Sequence, residues 1–387
     1  MPQSQPAPPT DPLLSDAPIP VVGLMSGTSM DAIDAAWLRT DGQTVIQLGP
    51  TIDIPIPPPL RAALMAQATQ ARMVGDLEPN PALAEAEATL TALHGQAVEA
   101  LIATLPADLP PPQLIGMHGQ TLLHRPEIGR TWQIGDGQAL AQQLGLPVVY
   151  DFRSEDMRQG GQGAPLAPAM HRALAQSQPP EDFPLLVINL GGVANVTWIG
   201  PDGAMVACDT GPANGPCDDW VFRQTQQRMD RDGALALAGR VDEARIAEGL
   251  AHPYFDLPLP KSLDRLDFTA DLAHGLSVAD GAATLIGFSA AAVAAVLPHL
   301  PERPRRAVVA GGGRRNPAFM AALRARLGMP VDPVEAVGWD GDALEAQAFG
   351  LLAVRSVRGL PLTEPGTTGC RNPVSGGKFF RPSLGVA

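Results

Sequence analysis

Two segments of the chain share one pattern: a short apolar run, a turn of glycine and small polar residues, and a second apolar run. The first is GLMSGTSMDAIDAAW (23–37), and the second, LLVINLGGVANVTWI (185–199), opens the second half of the chain. Apolar runs of this length bounded by glycine predict buried β-strands joined by a tight turn. Because 387 residues exceed one comfortable core, the repeat predicts two α/β lobes with ligands bound in the cleft between them.

The composition of the chain argues against several kinds of partner and site. The net charge of −13 argues against nucleic acid or an anionic membrane as the main partner. Cys208, Cys217 and Cys370 lack metal-ligand spacing, which indicates buried thiols in a reducing compartment. The alanine-rich run 281–300 predicts a buried core helix rather than a membrane span. The start of the chain has no signal-peptide pattern, so we expect a cytoplasmic protein.

The first glycine turn allows two interpretations. Its GTSM segment is similar to the one that carries the nucleophilic serine of subtilisin-like proteases, but no histidine precedes Ser29. A hydrolase that uses Ser29 is therefore a distant alternative. The hydroxyl and N–H groups around Gly27 can instead form a donor nest for phosphate, with Asp31 and Asp34 able to reach a magnesium ion or its waters.

Other nucleotide-binding and metal motifs are missing from the sequence. It contains no G-x-x-x-x-G-K-[ST], no G-x-G-x-x-G after the first strand and no H-E-x-x-H. Two further glycine turns follow predicted strands, at 191–192 and 311–313. Three such turns in two lobes favour a nucleotide cleft over three unrelated strand turns.

Six motifs occur along the chain in this order: GLMSGTSMDAIDAA, HGQT, GGQGAPLAPAMH, NLGGVANVT, DTGPAN and AGGGRRNP. Together they resemble the anhydro-N-acetylmuramic acid kinases, a branch of the sugar kinase, actin and heat-shock-chaperone ATPase superfamily. The resemblance implies an α/β, two-lobed, actin-like and ribonuclease H-like ATPase fold with the active site in the interlobe cleft. It also implies ATP and Mg²⁺, and a reaction that phosphorylates O6 of 1,6-anhydro-N-acetylmuramic acid while water opens the anhydro ring. The products are N-acetylmuramate 6-phosphate and ADP, as in peptidoglycan recycling.

The resemblance also implies roles for individual residues. Asp209 in DTGPAN matches the family's aspartate and is the candidate base that activates water. Glu345, His118, Gln120 and Gln162 are candidates for contact with the sugar. No residue is expected to hold a permanent metal ion. The expected ATP contacts are Gly27, Thr28, Ser29, Met30, Asp31, Ala32, Ile33, Asp34, Gly191, Gly192, Asn195, Gly311, Gly312 and Gly313.

The chain departs from the family pattern at two places. In PKSLDRLDF (260–268), Leu263 and Asp264 replace the Thr-Gly of a family loop that often reads K-S-T-G-R-E-x-F, so no role is assigned to that loop. Ala32 stands where the family commonly has glycine, and an alanine there removes no hydrogen-bond donor.

The organisation that we expect is a disordered proline-rich arm (1–18), a first lobe (19–183), a second, nucleotide-binding lobe (184–345) and a C-terminal helix and tail packed back across the lobes (346–387). Two alternatives to the main interpretation stay open: a kinase of another sugar, and a sensor that binds sugar or ATP without turnover. Formation of a homodimer is also left open.

Overall fold

The computed structural model describes residues 11–27, 29–74, 80–263 and 267–383. Thr28, Asp264 and residues 1–10 of the expected arm lie outside the described residues. Within these ranges the strands are β1 Ile19–Ser26, β2 Ala32–Thr40, β3 Val45–Pro55, β4 Leu114–Arg125, β5 Arg130–Ile134, β6 Val148–Tyr150, β7 Leu185–Leu190, β8 Val193–Ile199, β9 Met205–Pro212, β10 Arg306–Ala310, β11 Val331–Pro333 and β12 Lys378–Phe380. The α-helices are α1 Pro58–Val74, α2 Pro81–Ala103, α3 Gly137–Leu144, α4 Ser154–Arg158, α5 Pro168–Ala175, α6 Asn214–Thr225, α7 Ala234–Ala238, α8 Glu243–Leu250, α9 Val278–Val296, α10 Pro317–Leu327, α11 Leu344–Val357 and α12 Pro365–Thr368.

The chain folds into two compact units, each built on one mixed sheet. The first unit runs to Gln159 and regains the chain over Glu345–Thr363 and from Asn372 onward. The second comprises Gly160–Leu344 and Glu364–Arg371. The predicted α/β fold with two similar lobes is confirmed.

In the first unit the strands lie in the order β12-β6-β4-β1-β2-β3, with β5 paired to β4. Strands β1, β2 and β3 form an antiparallel meander, whereas β1, β4 and β6 are parallel. Side chains of a strand alternate between its two faces. On one face, Val22 and Leu24 of β1 join the apolar core with Leu64 of α1 and Leu90 of α2.

The opposite face of β1 carries α11. A Cβ atom on Gly23 would lie 1.8 Å from the carbonyl oxygen of Ala346 and 2.5 Å from the amide nitrogen of Gly350. Gly116 of β4 is equally restricted, because its Cβ would lie 2.0 Å from the carbonyl oxygen of Phe349. Glycine at these two strand positions therefore lets the backbone of α11 lie directly on the sheet.

The second unit repeats the plan with the order β11-β10-β7-β8-β9. Here β7, β8 and β9 are antiparallel, and β7, β10 and β11 are parallel. Each unit thus has a three-stranded meander continued by parallel strands, the strand order of a ribonuclease H-like fold.

Helix α9 fills the core of the second unit. Together with the turn to His299 it is long and apolar enough to cross a membrane by length and composition, but 78% of its most apolar 18-residue window is buried within the protein. Its side chains pack with the apolar residues of β7, β8 and α10. The predicted core helix over 281–300 is confirmed.

The two units divide the chain differently from the predicted lobes. Residues 160–183 belong to the second unit, because α5 packs on β8 and β9 and its His171 ring shares a 2.9 Å hydrogen bond with the Thr197 hydroxyl. Helix α11 belongs to the first unit, because it lies on β1 and β4. Sequence order alone does not show on which sheet such a helix packs.

Candidate active site

The first glycine turn joins β1 to β2, and Gln120 of β4 supports it from within the protein. Gln120 is completely buried. Its Oε1 accepts a hydrogen bond from the Ser26 hydroxyl, and its Nε2 donates to the carbonyl oxygens of Gly27 (3.2 Å) and Thr121 (3.3 Å). The amide therefore holds the entry to the turn, and contact between Gln120 and the sugar stays a prediction.

The turn presents polar groups to solvent. The exposed Ser29 donates its hydroxyl proton to Asp31 Oδ1 over 2.6 Å, and the same oxygen accepts the Ala32 N–H over 3.1 Å. Met30 takes a left-handed conformation, with a φ of 52°, and its N–H donates to the Gly27 carbonyl. A serine nucleophile needs a general base, usually histidine, and in the part of the chain that the structure describes no histidine contacts Ser29.

Two of the predicted ATP-contacting residues have buried side chains. Met30 is 5% exposed and Ile33 is fully buried, and both belong to the core of the first unit. Only their backbone groups could meet a nucleotide. Asp34 lies half-buried on β2, opposite Asp53 of β3.

A second polar cluster of the first unit joins His118 and Glu345 through Arg153, a residue that the sequence analysis missed. His118 is buried, and its Nδ1 lies 2.8 Å from the Gly119 carbonyl oxygen. Because that contact requires a proton on Nδ1, Nε2 is the acceptor, and it receives the Arg153 Nη2 proton over 2.9 Å. Arg153 comes shortly after the short strand β6. A polar residue just after a predicted strand is the sequence signal that could have identified it.

Charge and burial oppose each other in this cluster. Burial holds the pKa of His118 well below its ordinary value of 6.5, and the Arg153 charge adds to the effect, so the imidazole is neutral. Burial also lowers the pKa of Arg153 to about 10, although Glu345 favours its charged form. The side chain of Glu345 reaches solvent, yet the surrounding protein raises its pKa while Arg153 opposes that rise. A neutral histidine thus orients a cation beside a carboxylate.

In the second unit the two remaining glycine turns pack against each other. Asn214 at the start of α6 donates from Nδ2 to the carbonyls of Leu190 (3.0 Å) and Gly191 (2.8 Å). A Cβ on Gly311 would lie 2.6 Å from the Leu190 carbonyl oxygen, and one on Gly313 would lie 2.6 Å from the Leu190 Cβ. The glycines thus let the two turns approach each other closely, and contact between them and a nucleotide stays a prediction.

Gly312 differs from its neighbours. A Cβ there would meet nothing within 4 Å, so this position faces open space. Arg314 fixes the turn from behind: its Nη1 donates to the Gly311 carbonyl over 3.0 Å, and its Nε donates to Glu335 over 2.8 Å. Asp342 lies 3.1 Å from its Nη2. The turn is therefore rigidly held, with one side free for a ligand.

Asp209 lies half-buried on β9, opposite Asn195 of β8. The pairing of the two strands shifts next to it, between Ala194 and Asn195, which leaves Thr210 as an extra residue. Such bulges turn neighbouring side chains out of the regular sheet alternation and are frequent at functional sites. Desolvation raises the pKa of the Asp209 carboxyl from 3.8 to about 7, and a hydrogen bond from the Leu263 N–H opposes the rise.

The segment between Tyr254 and Leu263 surrounds the Asp209 backbone. The Asp209 N–H donates to the Lys261 carbonyl over 2.9 Å, and the Tyr254 hydroxyl donates to the Asp209 carbonyl over 2.6 Å. The Leu263 N–H reaches Asp209 Oδ2 over 2.8 Å. Gln162 contacts the same segment through Nε2, 3.4 Å from the Pro260 carbonyl oxygen. The loop to which the sequence assigned no role thus contacts the candidate base.

The described residues contain no cluster of side chains that could hold a metal ion at the site. In residues 11–383, apart from the masked positions, no group of three or more histidine, cysteine, aspartate or glutamate residues could hold a metal ion. Cys208, Cys217 and Cys370 are all buried thiols that form no disulfide, as predicted. Burial raises the pKa of Cys208 to about 12, which keeps this neighbour of Asp209 in the thiol form.

Comparisons with known proteins agree with the sequence motifs. A family model for anhydro-N-acetylmuramic acid kinase matches residues 20–382. A protein of that name from Acidiphilium cryptum is 54% identical over 93% of this chain and 98% of its own length. Another from Rhodospirillum rubrum is 52% identical over 95% of each chain. Among solved structures, a ROK family glucokinase from Streptomyces griseus in complex with glucose and AMPPNP covers 86% of this chain and 99% of its own at 15% identity and a TM-score of 0.39. The chain belongs to the anhydro-N-acetylmuramic acid kinase family.

Proposed function

We propose that the chain uses Asp209 as the general base when it converts 1,6-anhydro-N-acetylmuramic acid and ATP into N-acetylmuramate 6-phosphate and ADP. The family supplies the substrate and the reaction type. The observation that supports the role of Asp209 is its half-buried carboxyl, whose pKa of about 7 lets it bind and release a proton near neutral pH. A sensor without turnover has no need of such a group.

The two oxygens of the carboxyl have different surroundings. Oδ2 accepts the Leu263 N–H, whereas none of the described residues donates a hydrogen bond to Oδ1. Oδ1 is therefore the atom that would take a proton from water. The water oxygen then bonds to C1 of the sugar, the bond between C1 and O6 breaks, and O6 attacks the γ-phosphorus as the bond to ADP breaks. The proton that water loses stays on Asp209 until it passes to solvent.

Groups in both units have the chemistry that binding ATP requires. In the first unit, the exposed Ser29 has a hydroxyl and a backbone N–H that suit a phosphate, and Asp31 offers an exposed carboxylate. In the second unit, Gly312 has room for a ligand beside the 191–192 turn. Mg²⁺ bound to ATP would neutralise phosphate charge during transfer. Asp31 is the residue of this set whose oxygen suits that ion or its waters.

Arg153 has the chemistry to bind the acidic part of the sugar. Muramic acid carries a carboxylate, and guanidinium groups form strong, directional hydrogen bonds to carboxylates. His118 holds the Arg153 head group in one orientation, which reduces the entropy lost on binding. Glu345 beside it would accept hydrogen bonds from sugar hydroxyls. A location in the cytoplasm, where ATP is present, fits this reaction.

The proposal is tested by release of ADP in the presence of Mg²⁺ and a panel of sugars: the anhydro sugar, ring-opened N-acetylmuramic acid, N-acetylglucosamine and glucose. We expect turnover with the anhydro sugar and loss of turnover by several powers of ten in Asp209→Asn, with ATP binding unchanged. Turnover of another panel member alone would identify a kinase of a different sugar. Binding of ATP or sugar without turnover of any would support the sensor. Near-normal activity of Asp209→Asn would refute the role of Asp209.

A further inference from the structure

We propose that Lys261 and Tyr254 act as positioning residues that hold the backbone of Asp209 and so determine where its carboxyl lies. The inference rests on the proposed function, because it gives these residues a part in the reaction only if Asp209 is the base. Neither side chain contacts the Asp209 carboxylate. Both act through the main chain.

The first part of the argument is the pair of hydrogen bonds to Asp209. Its N–H donates to the Lys261 carbonyl, and its carbonyl accepts the Tyr254 hydroxyl. A β-strand residue normally satisfies these groups with neighbouring strands. Here the segment 254–261 supplies the partners of both groups, next to the shift in strand pairing. The position of the carboxyl is therefore linked to the conformation of that segment.

The second part of the argument is the Lys261 ammonium group, which links the end of segment 254–261 to its start. Lys261 is 6% exposed, and its Nζ donates to the carbonyls of Tyr254 (2.9 Å) and Phe255 (3.2 Å). The same nitrogen lies 4.5 Å from the centre of the Tyr254 ring. Burial lowers the pKa of this ammonium, so the cation is held there at a cost in desolvation. Among the described residues no carboxylate forms a salt bridge with Lys261.

The third part is what the closed segment does for the chemistry. Two residues beyond Lys261, the Leu263 N–H hydrogen-bonds Asp209 Oδ2 and leaves Oδ1 for water. Loss of the ammonium would loosen residues 254–263, move this donor and admit water to the carboxyl. Burial is the largest influence on the Asp209 pKa, so the loosened site would bring that pKa down from about 7 toward 3.8. A displacement of about 1 Å in a catalytic group can lower turnover about 100-fold.

The test compares matched substitutions. The chain has two lysines and two tyrosines, so Lys378→Met and Tyr150→Phe remove the same atoms as Lys261→Met and Tyr254→Phe at positions in the other unit. We expect Lys261→Met to lower kcat about 10- to 100-fold and Tyr254→Phe to lower it less, with the KM for ATP within about twofold of the parent. The acid limb of the pH–rate profile should shift to lower pH by at least about one unit in Lys261→Met. Lys261→Arg should restore part of the activity, and both controls should match the parent.

Two further measurements separate positioning from general structural damage. In the Asp209→Asn background, Lys261→Met should cause no further loss of the residual turnover, because both changes act through one carboxyl. The carboxyl pKa of Asp209 can also be measured by NMR titration without substrate, with the Asp209 signal identified by its absence from Asp209→Asn. In Lys261→Met this titration should show the same fall in the Asp209 pKa. An unchanged acid limb and an unchanged NMR titration in Lys261→Met would overturn the proposal. If the parent protein turned over no sugar, the proposed function would fail, whereas the NMR result would still decide whether the segment positions Asp209. Tyr254→Phe supplies both readouts if Lys261→Met does not fold.

Discussion

The raised pKa of Asp209 predicts that the candidate base destabilises the fold. Its pKa rises from 3.8 in an unperturbed side chain to about 7 in the folded protein, with desolvation as the largest cause. The folded state therefore binds this proton more tightly than the unfolded chain does. As far as this group is concerned, stability is greatest at low pH and falls as the pH rises from about 4 to about 7.

The size of the effect follows from the two pKa values. Each tenfold difference in proton affinity corresponds to about 1.4 kcal/mol, so the ionised carboxylate destabilises the folded state by at most about 4 kcal/mol above pH 7. Because the side chain is only half-buried, we expect about 2 kcal/mol. Asp209→Asn removes the charge but keeps an oxygen to accept the Leu263 N–H. The variant should thus be inactive and yet more stable than the parent at pH 8.

Thermal unfolding measured at pH 8 and pH 5 tests this expectation. For a unit of this size, 2 kcal/mol corresponds to a rise in Tm of about 4–8 °C at pH 8, and the gain should be smaller at pH 5. Asp108→Asn, at an exposed position in the other unit, is the control and should leave Tm unchanged at both pH values. A variant Asp209→Asn that is less stable at pH 8, or whose gain is equal at both pH values, would refute the reasoning.

Four other outcomes follow from the structure. The kcat/KM for the sugar should fall about tenfold per pH unit below pH 7 as Asp209 takes up its proton, measured as a pH–rate profile, and an acid limb near pH 4 would contradict it. Gly23→Ala should destabilise the protein by about 1–3 kcal/mol in urea unfolding, because the new methyl overlaps the backbone of α11, and an unchanged midpoint would show that the helix can shift freely. Asn316→Ala should cost about 1 kcal/mol by the same assay, since Asn316 caps α10 through the N–H groups that follow, and a neutral result would remove that role. Gln120→Leu should raise the KM for ATP while secondary structure by circular dichroism is kept, and an unchanged KM would separate Gln120 from the turn that it supports.

The sequence predicts the plan of the fold because its strongest pattern is local. Apolar runs that end in glycine turns mark both meanders, and the strands β1, β2, β7 and β8 lie where the runs were found. The placement of helices on sheets is a matter of tertiary packing. Helix α11 follows the second unit in the chain but lies on β1, because Gly23 permits the close approach there.

The candidate site, like the fold, has parts that local sequence patterns predict and parts that depend on tertiary packing. The motif predicts Asp209 as the base, and this role stays a prediction. The change at Leu263 was given too much weight. That residue contacts Asp209 through its backbone N–H, which every amino acid except proline supplies. Arg153 belongs to none of the six motifs. The amide of Gln120 supports the first glycine turn, which its motif does not indicate, and its contact with the sugar stays a prediction. Motifs identify residue types, whereas hydrogen-bond partners depend on strands far apart in the chain.

The central claim is that one protein both opens the anhydro ring and phosphorylates O6. Mass spectrometry of the product formed from ATP, Mg²⁺ and the anhydro sugar in ¹⁸O-labelled water tests it directly. The account predicts a 6-phosphosugar that carries one heavy oxygen at C1, with none in the phosphate. A phosphorylated product that retains the anhydro ring, or a heavy oxygen in the phosphate, would contradict it.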